Sequence, residues 1–105
     1  VLLTNNTAMS GSTTEIDPSA LPSGTHVVQL GAYKSEEIAR LEWDKKVGRY
    51  GEYLQGKNRV IQKAQSSGRT FYRLRAQGFT DKIDTRLFCS ALEVEGAECT
   101  PVVIR

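Results

Sequence analysis

The sequence predicts an α+β domain of order βαββαβ, a split-βαβ (ferredoxin/RNP-like) fold in which a four-stranded antiparallel sheet carries both helices on one face. Three observations lead there. A strand-turn-helix unit occurs twice: His26-Val27-Val28-Gln29-Leu30-Gly31-Ala32-Tyr33 runs into a helical stretch opening Ser35-Glu36-Glu37, and Tyr72-Arg73-Leu74-Arg75-Ala76-Gln77-Gly78-Phe79 runs into one opening Asp81-Lys82. Apolar residues step by three or four in the helical stretches and by two in the strands. A turn at Ser66-Ser67-Gly68 joins the run at 58–64 to the second unit, as a hairpin requires.

Taken in order, the first strand sends Val28 and Leu30 to one face and Val27, Gln29 and Gly31 to the other. Ser35 suits an N-cap, with Glu36 and Glu37 in the first turn where carboxylates meet the positive end of the helix dipole. Ala39, Trp43, Val47, Tyr50 and Leu54 form the stripe that meets the sheet. Gly56 precedes the second strand, at 58–64, and the third follows at 70–76. Thr80 or Asp81 caps the second helix, which buries Thr85, Phe88, Cys89 and Leu92 and ends at Gly96, and a fourth strand closes the chain at 99–104.

Aligning Tyr33 on Phe79 matches Val28 with Leu74, Gln29 with Arg75, Leu30 with Ala76 and Ala39 with Thr85. Right-handed crossovers set the two repeated strands side by side at the centre of the sheet. Gln29, Phe71, Arg73 and Arg75 are then expected to point out from its open face, while Tyr33 and Phe79 pack under the helices.

The 105 residues allow one core. Residues 1–25, rich in Ser, Thr, Asn and Pro, bury too little apolar surface to offset chain entropy and are expected to be a flexible linker, with the domain at 26–105. The chain opens on Val-Leu-Leu without an initiator Met, so it is expected to be a piece of a longer protein with any signal or anchor upstream. No apolar run approaches the ~20 residues of a membrane span. Net charge is only +2, but between Tyr53 and Thr80 there is no acid, while Lys57, Arg59, Lys63, Arg69, Arg73 and Arg75 all fall there. Part of the sheet is therefore expected to be basic.

Catalysis finds little support. No nucleophile or carboxylate pair comes with a base at meaningful spacing, His26 stands outside any motif, and no phosphate-binding glycine loop occurs. No catalytic residue, metal site or cofactor is expected, and a binding module is the better class.

The order and spacing of these motifs resemble the SPOR (sporulation-related repeat) domains of bacterial envelope proteins. Val28-Gln29-Leu30-Gly31-Ala32-Tyr33 is similar to that family's V-Q-L-G-S-F opening and Tyr72-Arg73-Leu74-Arg75-Ala76 to its Y-R-V-R-V third strand, with Phe79, Asp81, Leu92 and Gly96 at matching distances, over about three quarters of the chain. Two departures stand out: Gln77-Gly78 where the family has Gly-Pro, and Ala32 where it often has a small polar residue.

The resemblance implies a periplasmic peptidoglycan-binding domain that prefers glycan strands denuded of stem peptides and gathers its parent protein at the division septum. It implies ligand contacts at Gln29, Ala32, Phe71, Arg73 and Arg75. The residue chemistry agrees, because amides and guanidinium forks satisfy sugar hydroxyls and acetamido groups, an aromatic face stacks on the ring, and a bidentate arginine suits the lactyl carboxylate that stem-peptide removal exposes. The parent is expected to be anchored in the inner membrane or exported, with this region towards its C-terminus, the domain to be monomeric, and partners beyond glycan to be other division or envelope proteins.

Cys89 and Cys99 lie ten apart without a CxxC motif or Cys/His cluster, which argues against metal. In an oxidising envelope compartment a disulfide across the helix-strand junction is favoured over two small core thiols. Two other functions remain open: an RNA-recognition-like module, which shares the βαββαβ order but whose R-G-F-G-F-V-x-F type signature the third strand lacks, and a protein-interaction domain of an envelope assembly. No nucleic-acid partner is expected.

Overall fold

The computed structural model describes residues 13–105. Five strands and two helices follow in the order β1 (Glu15–Ile16), β2 (His26–Tyr33), α1 (Glu36–Leu54), β3 (Asn58–Ser66), β4 (Arg69–Gln77), α2 (Lys82–Val94) and β5 (Thr100–Val103). The sheet order is β1-β3-β4-β2-β5, so the two repeated strands, β2 and β4, are central neighbours. The expected four-stranded antiparallel sheet is corrected in one respect. A fifth strand, β1, pairs parallel to β3 through Glu15 with Arg59 and Ile16 with Val60, so the sheet is mixed.

The N-terminal half of the expected linker lies outside the described residues. The rest carries β1 and a 3₁₀ turn at Pro18–Ala20, where Asp17 caps by accepting the Ser19 N–H at 2.9 Å. Nothing in this Ser/Thr-rich stretch has a strand's alternation, because a two-residue strand is too short to show any.

Local chemistry sets the other elements. Ser35 Oγ accepts the Ile38 N–H at 3.1 Å to start α1, and Asp81 accepts the Asp84 N–H at 2.9 Å to start α2. The Asp84 carboxylate accepts the Thr80 N–H at 3.0 Å, one residue before the cap, which ties the entering chain to the first turn. The β3–β4 hairpin turns on Ser67 and Gly68, both at positive φ, the combination a two-residue turn needs to match strand twist.

Both helices lie on one face. Ala39, Trp43, Tyr50 and Leu54 of α1 and Cys89 and Leu92 of α2 pack with Val28, Leu30, Ile61, Leu74 and Ala76 of the sheet. Val47 instead stays 39% exposed, since it lies at the margin of the apolar stripe. Phe88 is half-buried and meets Phe79 edge-on at 4.9 Å between ring centroids. Cys89 and Cys99 are joined by a disulfide that ties α2 to the residue before β5.

A β-bulge interrupts β2. Gln29 is opposite Arg75, but the next pair is Gly31 with Leu74, so Leu30 and Gly31 share one partner. The extra residue turns Gly31 to the helix side, where alternation alone had sent it outward, and turns Ala32 to the opposite side, across from Arg73. Tyr33 then folds back over Gly31, leaving no room there for a Cβ.

Candidate functional site

The face away from the helices is built row by row from β2, β4 and β3. One row is Gln29, Arg75 and Val60, and the next is Ala32, Arg73 and Gln62. Phe71 stands one step further along β4, opposite Ala64 on β3. All five residues expected to meet a ligand, Gln29, Ala32, Phe71, Arg73 and Arg75, therefore share one face. The repeat already implied that Gln29 and Arg75 are neighbours. They are equivalent in the duplication and directly opposed in the ladder, which puts the pseudo-two-fold axis of the repeat through this pair.

The face is not wholly open, and this corrects the sequence reading. Val27 and Val60 point away from the helices and yet are 0% exposed, and Arg75 is 8% exposed. The chain between β1 and β2 accounts for this burial. It leaves the β3 edge at Ile16, its 3₁₀ turn packs on β3, and it arrives beside β5, where Gly24 N–H donates to the Ile104 carbonyl at 2.6 Å and Ile104 N–H to the Thr25 carbonyl at 2.9 Å. The segment 17–25 is thus a strap across one end of the face. Glu15 latches its start, accepting from Arg40 Nε at 3.0 Å and Nη2 at 2.9 Å and from Arg59 Nε at 2.7 Å.

Arg75 sits where strap and open face meet. Its Nε donates to Gln29 Oε1 at 3.1 Å, and it has no carboxylate partner among the described residues. Burial lowers its pKa and the neighbouring Arg73 charge lowers it further, yet a guanidinium stays protonated. Two like charges are thereby held on one strand, the inner one starved of water. An anion at this point relieves both desolvation and repulsion. Arg73 is half-buried with its guanidinium carbon 5.2 Å from the centroid of the Phe71 ring, a cation–π contact that fixes both side chains. Ala32, beside Arg73, is exposed and adds no polar group.

The arrangement is a cationic, aromatic surface: an amide-anchored guanidinium, a second guanidinium stacked on an aromatic, and a small exposed residue beside them. No group of three or more metal-ligating side chains occurs among the described residues. Fold and face together define an α+β binding domain with a cationic, aromatic sheet surface. The chain belongs to the SPOR domain family, which matches residues 22–105.

It is similar to the cell division protein FtsN of Caulobacter vibrioides, at 29% identity over 72 residues covering 69% of this chain and 27% of that protein. The chain thus spans about a quarter of that relative's length. Its fold is similar to the solution structure of the peptidoglycan binding domain of the B. subtilis cell wall lytic enzyme CwlC, with a TM-score of 0.55 and 16% identity over 82% of this chain and 96% of that one.

Proposed function

We propose that this domain is a non-enzymatic peptidoglycan-binding module that takes glycan strands lacking stem peptides onto the face of the sheet away from the helices, and that it carries its parent protein to the division septum. Family membership, a relative that is a cell division protein and a fold neighbour that is a peptidoglycan binding domain all support this reading. In this reading the working compartment is the periplasm, the parent is an inner-membrane-anchored or exported envelope protein, and the domain acts as a monomer.

The observation that carries the preference for denuded strands is Arg75, a guanidinium almost out of water with one amide contact and no carboxylate partner among the described residues. On an intact strand the lactyl carboxyl is tied up in the amide bond to the stem peptide and is neutral. Once the peptide is removed it is a free carboxylate. Arg75 and Arg73 together receive that carboxylate, a charge-assisted contact roughly twice as strong as a neutral hydrogen bond. Gln29 orients Arg75, Phe71 stacks on a sugar ring, and Ala32 leaves room for the strand.

The test is co-sedimentation with sacculi before and after an amidase has removed the stem peptides. More protein is expected in the pellet after treatment, and Arg75→Ala is expected to remove that increase. Equal binding to both kinds of sacculi, or an increase that survives in Arg75→Ala, would overturn the reading.

A further inference from the structure

On the helix side of the sheet, α2 leaves a recess against the edge strand β5. Pro101 and Val103 pair with Val28 and His26 in the antiparallel ladder, so their side chains turn to the helix side with that of Val28. No strand lies beyond β5 among the described residues, and Val103 stays 40% exposed. The two residues floor a recess of about 360 Å³, roughly ten times the volume a water occupies. Thr85, Lys82 and Arg86 line it from α2, and His26 completes the ring. Lys82 and Arg86 are exposed and have no carboxylate partner among the described residues, while the acids of the same turn, Asp81 and Asp84, accept backbone N–H groups at the cap. The Cys89–Cys99 disulfide ties the two walls together just beyond Arg86 and just before Pro101. Beside the cations, Ile83, Leu87 and Val94 lie within about 40° of one another around the helix and form an aliphatic ridge, 66%, 68% and 86% exposed.

We propose that recess and ridge together dock an acidic, aliphatic peptide segment of a partner protein, with Lys82 and Arg86 receiving its carboxylates and its aliphatic side chains lying on Pro101, Val103 and the Ile83–Leu87 ridge. Charge complementarity selects this occupant. The residues lining the recess include two cations and no acid. A wholly apolar segment would take both cations out of water without a partner, at a large cost. A small inorganic anion would satisfy the charge and leave the floor and the ridge wet. A peptide with carboxylates set between aliphatic side chains meets both demands, and each contact to Lys82 or Arg86 is charge-assisted. An anionic lipid surface fits less well, because Glu93 and Glu95 flank Val94 at the other end of the ridge and would face the headgroups. The disulfide holds the walls in place before the peptide arrives, so little ordering is left to oppose binding. The recess lies on the side of the sheet opposite the Arg75 face, so the domain can hold a partner and a glycan strand at once. The docking site does not depend on the glycan reading and stands if that reading fails.

The probes are three synthetic peptides, each acetylated and amidated so that only side chains are charged: Leu-Glu-Leu-Glu-Leu, its basic counterpart Leu-Lys-Leu-Lys-Leu and its polar counterpart Ser-Glu-Ser-Glu-Ser. Each is titrated into the whole chain and followed by amide chemical shifts. The first is expected to give saturating shifts centred on Lys82, Arg86, Leu87 and Val103, and to bind about tenfold or more tightly than either control. Lys82→Ala/Arg86→Ala is expected to weaken it by about tenfold or more at an unchanged melting temperature, and to leave sedimentation with amidase-treated sacculi as in the parent. Absent shifts, shifts centred on the Arg75 face, equal binding of either control, or full binding kept by the double variant would each overturn the proposal. Shifts at the same residues on raising the protein concentration alone would give the surface to a second copy instead. Binding to vesicles containing phosphatidylglycerol through these residues, without binding of the peptide, would give it to a lipid surface.

Discussion

Arg75 concentrates the physical tension of this domain. A buried guanidinium with one amide partner and a second arginine beside it is a poor investment in stability, and replacing such a charge with an apolar side chain of similar length is commonly neutral or stabilising. Arg75→Met is therefore expected to melt at the parent temperature or above it while losing affinity for denuded glycan by tenfold or more. A structural role alone predicts the reverse, a lower melting temperature with binding kept. Gln29→Ala is expected to act in the opposite sense on stability, costing about 1–2 kcal/mol in chemical denaturation because it leaves the Arg75 Nε–H unmade. The pairing of these two residues was legible in the sequence, since the duplication made them equivalent and the topology made them adjacent. The outward turn of Ala32 and the inward turn of Gly31 were not legible from alternation, because a bulge adds one residue and flips the face of everything after it. Nor was the depth of Arg75, which is set by a segment whose own composition argues for solvent.

That segment is the element most changed by the structure. A strap is held at one end by β1 and at the other by backbone bonds to Ile104, and Glu15 is its side-chain latch. Hydrogen bonding to Arg40, and then to Arg59, holds the Glu15 carboxyl below its usual range in spite of partial burial. A depressed folded pKa means that the latch stabilises the folded state above the ordinary carboxylate pKa of about 4.5 and weakens as pH falls through the depressed value. Amide hydrogen exchange at Arg59, whose N–H donates to the Thr14 carbonyl at 2.8 Å, is expected to lose protection across that acid window. In Glu15→Gln the protection is expected to be lower at neutral pH and the acid step to vanish; an acid step that persists would place the titration elsewhere. Since the pairs are partly exposed, each contributes about 0.2–1 kcal/mol. The disulfide acts at the other side of the molecule, closing a ten-residue separation between α2 and the start of β5. Cys89→Ser/Cys99→Ser is expected to lower unfolding free energy by about 2–4 kcal/mol, read by urea denaturation, without moving glycan affinity, because the crosslink lies on the helix side. The helices and their caps were legible beforehand since each starts on a side-chain oxygen and shows its apolar period. The fifth strand was not, since two residues show no period.

At the scale of the whole molecule, the net charge of +2 hides a division. No Asp or Glu occurs in β2, β3, β4 or β5, whereas both helices and their flanks carry acids, among them Glu36, Glu37, Glu42 and Glu52 on α1 and Asp84 and Glu93 on α2. Because both helices occupy one face, the split in sequence becomes a split in space: charge of both signs behind, where Arg40, Lys45, Lys46, Arg49, Lys82 and Arg86 offset those acids, and arginines without acids in front. The front resembles a surface for nucleic acid, and salt separates that partner from glycan. A nucleic-acid backbone carries a condensed counterion atmosphere, and releasing it through six or more phosphate contacts loses about 10³-fold or more in affinity between 50 and 200 mM salt. A denuded glycan bears one carboxylate per two sugar rings, too sparse for condensation, so salt acts on it by screening alone. Arg75 feels even that weakly, being nearly buried. Binding to denuded glycan is therefore expected to weaken by no more than about threefold over the same salt range, measured by titration calorimetry at constant pH. A thousandfold fall for glycan would mean that the contacts are diffuse and exposed rather than centred on Arg75, and a steep, tight isotherm with single-stranded RNA would make the basic face a nucleic-acid surface instead.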